Sequence, residues 1–161
     1  MSYESVVAWL AAHAPDLTLI DQSASTATVA EAAAVLGVEP GRIAKTLAFR
    51  IGDTPMLLVA RGDARLDNAK CKAELGGRPR MLDAETTLEL TGHAVGGVCP
   101  FGLATELPIV ADRSLRAYET VFPAAGSRTS SIEVAPERLA QLIGARWVDI
   151  CTLPEPLSDQ P

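Results

Sequence analysis

The chain has 161 residues, of which 48 % are apolar, and this combination is typical of one globular domain with a hydrophobic core. No apolar run approaches the ~20 residues needed to cross a bilayer, and the N-terminal MSYESVV lacks the basic start and apolar stretch of a signal peptide. The net charge of −6 argues against a general nucleic-acid coat protein, and we expect neither a membrane nor a DNA partner. Three cysteines without a C-x-x-C pair predict no disulfide framework, which favours the reducing cytoplasm.

Five short helices are predicted from apolar periodicity and capping residues. Thr28 and Glu31 form a capping box, and the later helices each have an N-cap residue or a proline in front and a glycine behind. In chain order, helices are expected from Ser2 to near Pro15, from Thr28 to Gly37, over 66–77, from Asp83 to Gly92 and from Pro136 to Gly144.

Strand-like runs fill most of the chain between these helices, and GDTP (52–55) joins two of them into a β-hairpin. The runs lie at 17–20, 45–51, 56–61, 78–82, 94–98, 106–111, 119–124, 130–135 and 146–150. Because helices and strands are interspersed without a regular βαβ alternation, the pattern predicts an α+β fold on a mixed or antiparallel sheet. One domain is expected over 1–150, followed by a flexible polar tail at 151–161.

One segment departs from the acidic average. Residues 61–80 carry a net charge of +3, which leaves −9 for the rest of the chain. Such a segment can hold one defined polyanion on an acidic body, or it can be the solvated face of a helix and its flanks. Its basic residues are Arg61, Arg65, Lys70, Lys72, Arg78 and Arg80.

Residues 92–102, GHAVGGVCPFG, concentrate four glycines and a proline. Their spacing matches neither the Walker A loop nor G-x-G-x-x-G nor G-x-S-x-G. Gly96 and Gly97 permit backbone torsions that are closed to other residues, and Pro100 fixes the following bend. The segment therefore predicts a rigid loop whose amides face a carbonyl or an oxyanion, or alternatively a tight bulge without a ligand.

Cysteine, histidine and metal chemistry are not favoured. His93 lies on a different local element from Cys99, so Cys99 is interpreted as a small buried hydrophobe and not as a nucleophile. His13 and His93 are interpreted as satisfied surface or helix-end histidines without a functional role. Since the two histidines are far apart and no cysteine pair supports them, neither a metal nor another cofactor is predicted.

Lys45 stands at the head of an apolar strand, in GRIAKTLAF, where packing does not demand a charge. A lysine at a strand end can hold a phosphate or polarise an ester as a point charge, although it can also simply meet solvent. Together, the lysine and the glycine-rich loop indicate a site more strongly than either feature does alone.

In this order and spacing, GRIAKTLAF, TGHAVGGVCPFG, LPIVAD and YETVFPAAGSRTSSIEV resemble the YbaK family, which is related to the editing domain inserted in bacterial prolyl-tRNA synthetases. The resemblance covers about residues 28–150. It implies a single compact α+β domain around a mixed, curved, barrel-like sheet with short helices. It also implies a free-standing deacylase that hydrolyses the ester between a wrong amino acid and the 3′ acceptor end of a tRNA, without a metal, a cofactor or a covalent intermediate.

The resemblance also assigns roles to particular residues. Lys45 matches the family's pocket lysine, which holds the 3′ end and the ester. The loop Gly97-Val98-Cys99-Pro100 matches the G-x-x-P backbone that positions the substrate's carbonyl or amino group. Further substrate contacts are expected from Gly96, Phe101, Gly102, Ala124, Gly126 and Ser131. The basic residues of 61–80 are expected to meet acceptor-stem phosphates of tRNA(Pro), and an aminoacyl-tRNA synthetase is a candidate partner.

Three departures from the family concern the amino-acid pocket. Ala124 stands where editors of cysteinyl-tRNA usually carry serine, Cys99 stands where serine is more typical, and residues 20–23 replace the usual aromatics. The expected amino acid is therefore any of alanine, serine, threonine and cysteine, since one methylene is worth only ~1–3 kcal/mol in a pocket. Two other functions stay open: a non-catalytic tRNA-end or synthetase-binding module, which Ala124 favours, and hydrolysis of another small acyl ester or thioester.

Overall fold

The predicted helices form, and their ends follow the capping residues. The computed structural model describes residues 2–154. Within this range the helices are α1 (Ser2–His13), α2 (Val29–Leu36), α3 (Asn68–Leu75), α4 (Ala84–Thr91) and α5 (Pro136–Ile143). The side chains of Thr28, Asp67 and Asp83 each accept a backbone N–H of the first turn, and a glycine with left-handed φ follows each of α2 to α5. All five predicted helices are confirmed, because short-range hydrogen bonds decide where each begins and ends.

The strands build one main sheet and two small ladders. In chain order they are β1 (Ile20–Asp21), β2 (Ile43–Ile51), β3 (Thr54–Arg61), β4 (Arg65–Leu66), β5 (Pro79–Met81), β6 (Ile109–Asp112), β7 (Phe122–Pro123), β8 (Ser130–Ser131), β9 (Arg146–Val148) and β10 (Cys151–Thr152). The main sheet has the order β5-β2-β3-β6-β9, and β7 pairs with β2. Pairing is antiparallel for β2 with β3 and β5, and parallel for β3–β6, β6–β9 and β2–β7. The mixed sheet and the β2–β3 hairpin are confirmed.

The main sheet is open, because β5 and β9 stand at its two edges and do not pair with each other in residues 2–154. In the described part of the chain the sheet is therefore not a closed barrel, while the predicted single α+β domain on a mixed sheet is confirmed. The strand predicted at 94–98 is wrong, because this segment is a loop in which Gly96 has φ of +98°. Such a torsion belongs to turns and bulges and interrupts a ladder.

The C-terminal boundary also differs from the prediction. Cys151 and Thr152 form β10, which pairs antiparallel with β4 through Cys151↔Leu66. Cys151 is buried in the apolar cluster behind the sheet, and this burial holds the chain onto the domain. The domain therefore extends beyond residue 150, and residues 155–161 of the predicted tail lie outside the described residues.

Two apolar layers cover the two faces of the sheet. Because side chains alternate along a strand, Ala44 and Ala48 of β2 face one layer while Phe49 faces the other. Helices α1 and α5 pack in the first layer, together with Phe101. Helix α3 contributes Cys71 to the second layer. The glycine-rich loop 94–102 therefore lies on the side of the sheet that carries α1.

Candidate functional site at the open edge of strand β2

A pocket of about 330 Å³ lies beside β2, where this strand has no neighbour. Strand β7 pairs with β2 only at Ile43 and Ala44, and β5 pairs with it only at Phe49–Ile51. The edge between these two partners is the floor of the pocket, and its lining is mostly apolar. The walls come from the start of α2, from the segment after β5, from the glycine-rich loop and from the β7–β8 region, represented by Thr28, Leu82, Gly96, Val98, Ala124 and Ser131.

The open edge presents main-chain polar groups to the pocket. Leu82 N donates to Ala48 O at 3.0 Å, so the carbonyl of Ala48 points away from β3. The N–H and C=O of one strand residue lie on the same edge, and the edge alternates from residue to residue. The N–H and C=O of Thr46 therefore also point away from β3, into the gap between β5 and β7.

Two buried hydroxyls of the pocket have no hydrogen-bond partner in the described part of the chain. They are Thr46 Oγ1 and Ser131 Oγ, and both residues line the pocket. Ser131 is only 3 % exposed. A buried hydroxyl without a partner costs about 1–3 kcal/mol, so these groups are suited to receive a polar ligand.

Lys45 is half-buried at the pocket, and its Nζ donates a hydrogen bond to the carbonyl of Ala64. Burial lowers the pKa of Lys45 below its ordinary value, and the positive charge of Arg65 acts in the same direction. Cys151 and Asp63 oppose this shift. Ala64, Asp63, Arg65 and Cys151 do not belong to the pocket lining, so the ammonium group is held beside the pocket, where its one hydrogen bond leaves its other protons for a ligand.

The structure brings five of the predicted site residues to one pocket, namely Lys45, Gly96, Val98, Ala124 and Ser131. Sequence reasoning did not single out Thr46, although its place in β2 next to Lys45 would have been the signal. Its importance depends on the absence of a neighbouring strand, which no local pattern reports.

The remaining loop residues lie beneath the pocket and do not line it. Gly97 is buried, its N–H donates to Ala94 O at 3.0 Å, and a Cβ there would lie 3.3 Å from the carbonyl carbon of Ser127. Its lack of a side chain therefore permits close backbone packing. Pro100, Phe101 and Gly102 also lie outside this lining, and Phe101 is completely buried in the core.

Gly102 and Gly126 bring α1 close to the loop. Both have positive φ, +58° and +88°, and a Cβ on either would lie 2.9 Å from a backbone oxygen of α1. These contacts are with Ser5 O and Ser2 O, respectively. The two glycines thus support the pocket from behind, and neither is among its lining residues.

His93 is fully buried, so its interpretation as a surface residue was wrong, whereas it does follow the C-cap Gly92 of α4 and both of its ring nitrogens have partners. Nε2 lies 2.7 Å from Phe101 O, and because a carbonyl only accepts, this nitrogen carries the proton. Nδ1 is then an acceptor for the Ser2 hydroxyl at 2.6 Å, and Ser2 Oγ also lies 2.9 Å from Gly126 O; the single hydroxyl proton serves one of these two acceptors at a time. Burial lowers the pKa of His93, and the bond to Phe101 O partly offsets this. Ser2 thus connects α1 to His93 and to Gly126.

The second histidine agrees with the prediction. His13 is exposed at the last residue of α1, where Nδ1 lies 2.9 Å from Trp9 O and the two rings stack with centroids 4.2 Å apart.

Residues 2–154 contain no group of three or more His, Cys, Asp or Glu side chains that could hold a metal ion. No helix in this range has the length and apolar character needed to cross a bilayer.

The predicted tRNA-contacting cations divide into two groups. Arg61 pairs with Asp63 at 2.6 Å, and Lys70 pairs with Asp149 at 3.0 Å. The other predicted cations form no ion pair within residues 2–154 and are exposed; they are Arg65, Lys72, Arg78 and Arg80. The first group is already neutralised by its partners, so the free positive charge lies with the second.

The pocket at the open edge of β2, with one lysine and main-chain polar groups in its lining on a mixed sheet of an α+β fold, is the candidate small-ligand site. The model of the family described as "Aminoacyl-tRNA editing domain" matches residues 23–142. The chain therefore belongs to the aminoacyl-tRNA editing domain family, and the resemblance seen in its motifs is confirmed.

Relatives and solved structures agree with this family. The chain is 49 % identical over 129 residues to "Uncharacterized protein YwhH" of Bacillus subtilis (strain 168), covering 79 % of this chain and 82 % of that protein. It is 33 % identical over 130 residues to "Putative Cys-tRNA(Pro)/Cys-tRNA(Cys) deacylase EbsC" of Enterococcus faecalis, covering 80 % and 77 %. A structure described as "Crystal structure of a putative trans-editing enzyme for prolyl tRNA synthetase" superposes with a TM-score of 0.86 at 35 % identity, covering 94 % of this chain and 97 % of that one.

Proposed function

We propose that the protein is a trans-editing aminoacyl-tRNA deacylase, which hydrolyses the ester of a small mischarged amino acid on tRNA, with tRNA(Pro) as the expected carrier. The observation that carries the proposal is the pocket at the open edge of β2. There Lys45, the main chain of Thr46 and two unpartnered hydroxyls meet in a chain of the editing family. The names of the Enterococcus relative and of the structural neighbour support the same reaction.

In this proposal, backbone groups stabilise the charge that develops on the ester carbonyl. The N–H of Thr46 faces the pocket, and the N–H of Val98, another lining residue, has no acceptor within residues 2–154. Donors that are already oriented toward a developing oxyanion contribute strongly to catalysis. This assigns the oxyanion contact to Val98 and Thr46 in place of Gly97, whose N–H is bonded to Ala94 O.

Lys45 holds the 3′ end of the tRNA as a point charge, and water attacks the carbonyl carbon. The bond between this carbon and the ribose oxygen breaks, and the amino acid and the free 3′ end of the tRNA are released. Among residues 2–154, no histidine or carboxylate lines the pocket, so we assign the proton transfer to a hydroxyl of the terminal ribose. An aminoacyl ester is already activated, and positioning with oxyanion stabilisation is then sufficient.

The pocket favours a small amino acid, because alanines form part of its lining. The free hydroxyls of Thr46 and Ser131 favour serine, threonine or cysteine over alanine, since the side chains of the first three can hydrogen-bond with them and the methyl group of alanine cannot. Ala124, also in the lining, leaves room where a serine would stand in editors of cysteinyl-tRNA.

The second candidate function is a non-catalytic binding module for a tRNA end or a synthetase. The observation that favours it is the position of Ala124, because the pocket then lacks one hydroxyl next to the ester. Hydrolysis assays separate this function from the first.

The test is hydrolysis of tRNAs charged with Ala, Ser, Thr, Cys or Pro by wild type, Lys45→Ala and Arg146→Gln. Arg146 is exposed on β9 at the far edge of the sheet and serves as the control for lost charge. We expect wild type to hydrolyse one or two mischarged species, with kcat/KM about a hundredfold lower for Lys45→Ala and unchanged for Arg146→Gln. Binding of tRNA without hydrolysis of any ester would favour the binding module, and equal rates for Lys45→Ala would exclude the role of Lys45.

A further inference from the structure

Two arginines stand directly opposite each other at the outer edge of the main sheet. The antiparallel register of β2 and β5 pairs Arg50 with Arg80, and both side chains are exposed. Directly opposed residues of an antiparallel pair have Cβ atoms about 4.5–5.5 Å apart. Arg78 stands directly before β5, two residues from Arg80, and is also exposed.

This arrangement costs stability in the free protein. Like charges directly opposite each other on a sheet repel, and within residues 2–154 neither Arg50 nor Arg80 forms an ion pair. The carboxylate of Asp83 is close enough to Arg50 that this arginine contributes to the lowered pKa of Asp83. That carboxylate also accepts the backbone N–H of Thr86 at the start of α4, and it forms no ion pair with either arginine. Within residues 2–154 the arginine pair thus has no direct ion-pair partner.

The pair is a direct continuation of the pocket floor. Thr46, Ala48 and Arg50 are alternate residues of β2 and share one face of it, and the first two line the pocket. Leu82, which follows β5 and also lines the pocket, donates its N–H to Ala48 O. The pairing between β2 and β5 at Arg50 and Arg80 therefore continues as far as the pocket. At ~3.3 Å per residue, Arg50 lies about 13 Å along the strand from Thr46. This is the span of a short stretch of extended RNA and not of a whole acceptor stem.

We propose that Arg50 and Arg80, with Arg78 beside them, bind the backbone phosphates of the single-stranded 3′ end of the tRNA whose terminal ester enters the pocket. This inference rests on the proposed function for its ligand. Phosphates supply the counter-charge that the pair lacks, and arginine is the side chain best suited to them. Arg61 and Lys70, in contrast, already have carboxylate partners.

The test is the equilibrium binding of uncharged tRNA to the full-length protein, measured over a range of salt concentrations. Wild type is compared with Arg50→Gln/Arg80→Gln and with the control Arg146→Gln, each on intact tRNA and on the same tRNA without its terminal CCA. Binding of uncharged tRNA does not depend on hydrolysis, so the result stays informative if the deacylase activity fails.

We expect the double variant to bind intact tRNA about tenfold more weakly at 50 mM salt, with a salt slope smaller by about 1.4, because each single-strand phosphate contact contributes about 0.7. We also expect wild type to prefer intact over truncated tRNA, the double variant to lose this preference, and Arg146→Gln to behave as wild type. An unchanged affinity, an equal loss on both tRNAs or no tRNA binding by wild type would each overturn the proposal.

Discussion

The thiol of Cys99 lies 3.5 Å from Nε2 of His93, and both side chains are completely buried beneath the pocket. A cysteine and a histidine at this distance are the components of a nucleophile and its base. Here, however, Nε2 is bonded to Phe101 O, and burial raises the pKa of Cys99 to about 12. The pair is therefore structural.

Cys99→Ala is expected to keep its deacylase kcat/KM within about tenfold of wild type, whereas removal of a true nucleophile costs several orders of magnitude. The reason is that the proposed chemistry uses the loop backbone and not the sulfur.

The burial of all three cysteines predicts that they are unreactive in the folded protein. Cys71, Cys99 and Cys151, with pKa values raised to about 11, 12 and 12, should resist alkylation at pH 8 until the protein is unfolded. Mass spectrometry after iodoacetamide treatment checks this, and rapid labelling of Cys99 in the folded protein would contradict it.

The buried His93 predicts a loss of stability on acidification. Its pKa is lowered from 6.5 by burial, so below this value the unfolded chain binds more protons than the folded one. The stabilising contribution of neutral His93 to the free energy of unfolding is fully present above about pH 6.5. It is lost as the pH falls through the folded-state pKa, and the free energy of unfolding then decreases by no more than about 1.4 kcal/mol per pH unit. Urea unfolding at pH 7.5 and 5.5 measures it.

Two variants isolate the contribution of His93. His93→Gln is expected to show a smaller difference in unfolding free energy between pH 7.5 and 5.5 than wild type does. The control is His13→Gln, at the exposed histidine of α1, which should keep the wild-type difference. If His93→Gln also keeps it, another group causes the pH dependence.

Gly126→Ala is expected to destabilise the protein more than Gly37→Ala. Both glycines have positive φ, which costs an alanine about 1–2 kcal/mol. At Gly126 the added Cβ would also lie 2.7 Å from Val6 Cγ2, whereas at Gly37 it would meet nothing within 4 Å. We expect Gly126→Ala to lower the unfolding free energy by a further 1–3 kcal/mol or so, measured in urea. Equal losses would mean that α1 moves freely away from the loop.

The free hydroxyls of the pocket predict opposite effects on stability and on activity. Thr46→Val and Ser131→Ala each remove a buried hydroxyl that lacks a partner, so the unfolding free energy should stay the same or rise by about 1 kcal/mol. If these hydroxyls bind the substrate, kcat/KM for the edited aminoacyl-tRNA should fall about tenfold or more. Thermal melts and deacylation assays on the same samples measure both, and loss of stability without loss of activity would refute the assignment.

Local features of the sequence determined the helices, the hairpin and the family. Thr28, Asp67 and Asp83 cap their helices by accepting a backbone N–H three residues later in the chain. These contacts are local and do not depend on which distant segments pack together. The motifs around Lys45 and the glycine-rich loop were sufficient to predict the editing family.

Only the tertiary structure decided which groups of the site are available. The N–H of Thr46 is free because β5 and β7 leave a gap beside β2, and the N–H of Gly97 is not free because Ala94 lies within reach. His93 and Ser2 meet across 91 positions of the chain. The physical reason is that hydrogen bonding and burial depend on which distant segments pack together, and a one-dimensional pattern reports only neighbours along the chain.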